Sequence, residues 1–84
     1  SGTFTFDAPD VPANSCVDTS PAVSDVDNND HVLVTPPQEI MALNVSVTSG
    51  QAPGDDQIRL NLCNPTGGLV VVPNATYAFV TINQ

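Results

Sequence analysis

The sequence predicts an all-β fold: an antiparallel β-sandwich, jelly-roll-like, of about seven short strands. Three observations carry that prediction. Apolar and polar residues alternate in short runs, clearest at residues 57–63, where Ile58, Leu60 and Leu62 fall on one face and Gln57, Arg59, Asn61 and Cys63 on the other. Turn-forming residues punctuate those runs, with eight Pro and five Gly in 84 residues. No stretch carries a convincing helical period.

Taken in order, residues 3–7 alternate with Phe4 and Phe6 on one face and form the first strand. Residues 8–15, with two prolines, form an extended loop. A second strand starts at Cys16-Val17, is broken at Ser20-Pro21 and resumes through Ala22-Val23; Pro21 cannot donate to a ladder and marks an edge or a bulge. Residues 25–30 form a tight polar turn, and His31 to Thr35 the next strand, with Val32 and Val34 inward, stopped by Pro36-Pro37. Residues 38–42 have the length of one helical turn, but from Ile40 onward the alternation of Leu43, Val45 and Val47 with polar neighbours reads better as strand. A loop at 49–56 leads to the 57–63 strand, expected at the centre of a sheet and ended by Asn64-Pro65. Residues 69–72 form a short continuous apolar strand. Residues 75–82 close the chain, with Tyr77 and Phe79 on one face and Ala78, Val80 and Ile82 on the other.

This length makes one domain, 1–84, whose core hides only roughly 60–65% of the unfolded surface. Such a chain needs a staple, and a disulfide or an oligomer could supply it. The two cysteines allow one pairing, Cys16–Cys63; the alternative is two buried thiols, with the redox compartment deciding between them. The final strand, apolar on both faces, points to an outer face packed on another copy, the alternative being scattered surface apolars. Tyr77, Phe79, Val80 and Ile82 are the contact candidates.

Nine carboxylates face one arginine and no lysine, for a net charge of −8. This balance argues against nucleic acid and against anionic membranes, and suits a basic protein surface. No apolar run approaches the ~20 residues of a membrane span, and no signal peptide is evident. A strand-like opening fits either a mature start after loss of the initiator Met or an excised domain.

Asp25, Asp27, Asn28, Asn29 and Asp30 have the oxygen-rich character of a Ca²⁺ loop, the only cofactor the sequence proposes. They lack the following Gly and the distal bidentate acid, and Asx residues also favour turns for their own hydrogen bonding. Arg59 either pairs locally with Asp55-Asp56 or bridges subunits. His31, with Ser24 and Asp25 nearby, has no nucleophile motif around it and reads as a solvent-facing strand residue. One His and two separated Cys do not make a zinc site, and the chain has no room for a glycosidase cleft. No catalytic residues are assigned and the protein is expected not to be an enzyme. Asn44-Val45-Ser46 and Asn74-Ala75-Thr76 fit the glycosylation acceptor pattern, which has meaning only in some hosts.

Asn14-Ser15-Cys16, the run from Asn29 through Pro37, Ile58 through Thr66, Val72-Pro73 and Tyr77 through Ile82 together resemble a small β module of phage and bacterial fibre and virion proteins. Cys63-Asn64-Pro65-Thr66 after Arg59 is the most specific part; similar modules carry Gly-Asp where this chain has Asn29-Asp30. Such modules often follow fibre-like or collagen-like repeats, and their absence here favours a free-standing copy. The resemblance implies a trimerising, mechanical or adhesive domain and no catalytic residues. The expectation is therefore a bacteriophage capsid decoration protein. It would act as a homotrimer on the virion exterior, bound to the major capsid protein or another virion protein. The alternatives are a trimeric fibre-tip module binding a receptor or glycan, and an extracellular surface-layer or matrix subunit.

Overall fold

The computed structural model describes residues 2–82 and contains six strands and one short helix. The strands are β1 (Gly2–Phe6), β2 (Ser15–Thr19), β3 (His31–Thr35), β4 (Ser46–Ser49), β5 (Leu60–Asn64) and β6 (Ala75–Ile82); α1 is Gln38–Met41. They form two three-stranded sheets, ordered β1-β6-β3 and β2-β5-β4, and every pairing is antiparallel. The all-β antiparallel expectation holds, and β5 is central in its sheet. β2 ends before Pro21 and lies at a sheet edge, and the chain resumes pairing where Ala22 bridges Gln57.

Two expected strands are corrected. Residues 69–72 contribute a single bridge, Val70 to Val11, closed by reciprocal 3.0 Å backbone hydrogen bonds. Gly67-Gly68 precedes that segment and Pro73, which has no N–H, follows it, so the ladder does not extend. The strand expected from Ile40 begins only at Ser46. Pro37, extended at the N-cap, starts a single helical turn with Glu39 near its positive end, and Asn44 turns the chain at φ 62°. The apolar spacing there serves the helix, which drives Ile40 fully into the core.

Side chains from both sheets meet in one hydrophobic cluster. Phe4, Val32, Tyr77 and Phe79 come from the first sheet, Leu60 and Leu62 from the second, and Val11, Val26, Ile40 and Ile58 from the connections. The chain's aromatic residues, three Phe and one Tyr, all gather here. Phe4 stacks on Tyr77 at 5.5 Å between centroids, and Phe6 tilts against Tyr77 at 5.0 Å. Pairs of this kind add about 0.5–1.5 kcal/mol beyond area burial.

The sheets are also tied together along one edge. Ser49 Oγ donates to the Val32 carbonyl at 2.7 Å and accepts the Val34 N–H at 3.2 Å, so a side chain replaces rungs of a ladder between β3 and β4. Val32 N–H adds a bond to the Gly50 carbonyl at 3.2 Å.

Asn64, at the end of β5, is the principal buried polar side chain at 1% exposure. Its amide nitrogen donates to the carbonyls of Gly68 at 2.8 Å, Val11 at 3.0 Å and Pro12 at 3.2 Å. Its carbonyl oxygen accepts the Thr66 hydroxyl at 2.6 Å and the Thr66 N–H at 2.9 Å. One side chain thus closes its own turn and anchors the loop between β1 and β2.

Tyr77 is fully buried, and its hydroxyl has no hydrogen-bond partner. Burial, and secondarily the Glu39 carboxylate, raise its phenol above the usual 10.0. The folded state therefore holds that proton more firmly than the unfolded chain. The associated stability is fully present below pH 10.0 and is lost as pH rises through the raised value.

Two outcomes follow for urea unfolding. Asn64→Ala costs about 3 kcal/mol, because it strands several buried carbonyls, and Asn64→Asp does not rescue it for want of the amide donors. Tyr77→Phe is neutral or stabilising by about 1 kcal/mol at pH 7, since it removes an unpaired buried hydroxyl, and it flattens the decline in stability above pH 10.

Candidate interaction surface

Along β6 the side chains alternate without a break, and Ala75, Tyr77 and Phe79 are buried while Thr76, Ala78, Val80 and Ile82 are exposed. Tyr77 and Phe79, named above as partner contacts, point inward and are buried on the core side of the sheet, not on its outer face. The paired strands extend the outer face of β6. Val80 lies opposite Leu33, Ile82 opposite His31, and Ala78 between Thr3 and Thr35. Thr5 and Thr76 complete the face, their hydroxyls 2.6 Å apart.

Leu33, Val80 and Ile82 keep 60%, 49% and 50% of their surface exposed, forming an apolar end to this sheet. Between the two sheets, next to Thr35, a separate cavity of about 380 Å³ is lined by Val34, Pro36, Met41, Val45 and Val47 together with Ser46. The outward positions of all three strands hold Thr, Ala, Leu, Val, Ile and one His, and no carboxylate. In a chain of charge −8, that is the chemistry of a surface that can be covered without burying charge. Leu33 was legible as part of it, because Val32 and Val34 inward force Leu33 outward. Leu69 and Val71, in the segment read as a short continuous apolar strand, are exposed at 60% and 64%.

The disulfide forms, Cys16 to Cys63. The two residues are direct cross-strand partners between β2 and β5, with Cα atoms 4.0 Å apart, close to the narrow, non-hydrogen-bonded type of antiparallel pair. It encloses a long loop, with a sequence separation of 47.

The acidic turn is organised by hydrogen bonds, within itself and to Asp55 and Asp56. Asp30, 6% exposed, accepts the Asp27 N–H at 3.1 Å. Asp56 accepts the Asp25 N–H at 3.1 Å, and Asp55 the Asn28 N–H at 2.9 Å. Asp25 and Asn29 adopt left-handed φ of 69° and 70°. Among the described residues no group of three or more His, Cys, Asp or Glu is placed to hold a metal ion; Asp25, Asp27, Asn29 and Asp30 lie in a turn closed by these hydrogen bonds. The same bonds correct the expected local ion pair. Asp55 and Asp56 are committed to backbone amides across the loop, and exposed Arg59 forms a salt bridge with neither. His31 is exposed and lies in register with Ile82 and Gln51. Asn44 and Asn74 are both exposed.

Compared with known proteins, the chain matches no family model, no curated protein and no solved structure. The functional reading rests on its residues and their geometry.

Reducing the disulfide is expected to lower stability by about 4 kcal/mol in the chain-entropy treatment of a loop this long, measured as the shift in urea midpoint with and without reductant. Cys16→Ala/Cys63→Ala should reproduce the reduced value and abolish the reductant effect.

Proposed function

We propose that the protein is a non-enzymatic structural subunit that self-associates through the outer face of the β1-β6-β3 sheet, as a homotrimer decorating a bacteriophage capsid. The observation that carries this reading is the carboxylate-free face with Leu33, Val80 and Ile82 about half exposed, on a strongly acidic chain. Association there buries apolar surface while keeping the carboxylates of neighbouring copies apart. The remaining acidic surface complements a basic patch on a shell protein, with docking that weakens as ionic strength rises. The resemblance of the Cys63-Asn64-Pro65-Thr66 region to virion β modules supports the same reading.

The disulfide favours a second reading, an extracellular surface-layer or matrix subunit, since such bonds persist in oxidising surroundings. The fibre-tip alternative, a trimer that binds a receptor or glycan, is weakened on the glycan side because Tyr77, the aromatic it would present, lies in the core.

Light scattering after gel filtration tests the proposal. The expected result is a stable trimer that Leu33→Glu or Val80→Glu converts to a folded monomer with unchanged far-UV circular dichroism. A wild-type monomer at micromolar concentration would overturn it.

A further inference from the structure

The two sheets treat their edges differently. β3 is covered on its outer edge by residues 49–52, through Ser49, the Gly50 carbonyl and the His31–Gln51 bridge. β2 is an open edge, but it carries a charge, Asp18, and is followed by Pro21, two features that discourage strand addition. β1 has neither. Its sequence, Gly-Thr-Phe-Thr-Phe, is uncharged and free of proline, and among the described residues its backbone pairs only with β6. Alongside it runs a groove of about 380 Å³, whose walls are residues 2–5 and the segment 22–25, with Phe79 between them. The far wall is held in place, since Val23 N–H bonds to the Asp56 carbonyl at 3.0 Å and Asp25 N–H to the Asp56 carboxylate at 3.1 Å.

We infer that this groove is a strand-addition site: the open edge of β1 takes an extended, basic segment of a partner protein as an additional strand. The backbone edge supplies the hydrogen bonds, and alternate partner side chains face Phe79 and solvent. Charge selects the occupant. Asp25 lines the groove, Asp56 is bonded to it, and Asp7 follows β1 directly. A second copy would bring the same carboxylates against them, with only one Arg and no Lys to offset the repulsion. A Lys- or Arg-bearing strand meets opposite charge instead. The site is an edge and not the outer sheet face, so it stands independently of self-association.

The test is an NMR titration of the intact protein with a short capped peptide alternating Lys and Val, with its Glu/Val counterpart as control. Shifts confined to residues 2–6 and 22–25, slowed exchange of the β1 amides that point away from β6 on adding the basic peptide, and no response to the acidic one are expected. Asp25→Asn should weaken binding about two- to fivefold without disturbing the turn, because Asn also tolerates left-handed φ, and Asp10→Asn should leave it unchanged. Leu33→Glu should retain peptide binding whatever it does to oligomeric state, which separates this site from the outer-face proposal. Shifts mapping elsewhere, equal binding of the acidic peptide, or protection without peptide of the β1 amides that point away from β6 would each overturn the inference; the last would mean that another copy occupies the edge.

Discussion

The buried amide of Asn64 is the constraint on which most of the architecture depends. A carboxamide offers both donors and acceptors on one rigid plane, and here both ends are used. Its oxygen shapes the Asn64-Pro65-Thr66 turn, and its nitrogen holds Val11 and Pro12 from the far end of the chain. The Val11–Val70 bridge and the Asn14 N–H to Thr66 carbonyl bond lie beside it. The disulfide is fixed one residue earlier on the same strand. In a chain with so small a core, the end of β5 therefore gathers the covalent staple, a buried polar hub and the start of the crossing from one sheet to the other.

The sequence was most legible where alternation and burial agree. Ile58, Leu60 and Leu62 were inward by parity and are fully buried, and β3 and β6 have the predicted bounds. The same parity separated Val80 and Ile82 from Tyr77 and Phe79, but it does not say which face meets the core; the Phe4–Tyr77 stack decided that through a pairing far apart in sequence. The order β1-β6-β3 and the Ser49 link between sheets were equally hidden, because both arise from long-range register and from a side chain standing in for backbone. Asn64 was visible as a turn residue, but its buried role depends on carbonyls more than fifty positions away.

Turn chemistry organises the acidic segment. Positive φ occurs at Asn14, Asp25, Asn29, Asn44 and Asp56, and no glycine among the described residues shares it. Asx residues take these left-handed positions because their short polar side chains bond locally. Much of this Asp- and Asn-rich composition supports the backbone, through the carboxylates of Asp30, Asp55 and Asp56 that accept amide N–H groups.

The Cys16–Cys63 bond also governs how the fold would carry load. It ties β2 to β5 with β3, α1 and β4 inside the ring. Tension applied through the two ends of the chain passes across the bond and bypasses the enclosed segment. Only the stretches outside the ring can pay out under force, while the enclosed residues, worth about 160 Å of contour at ~3.4 Å per residue, stay locked until the bond is reduced. The oxidised domain is thus a short, stiff element, and the reduced one a far more extensible link.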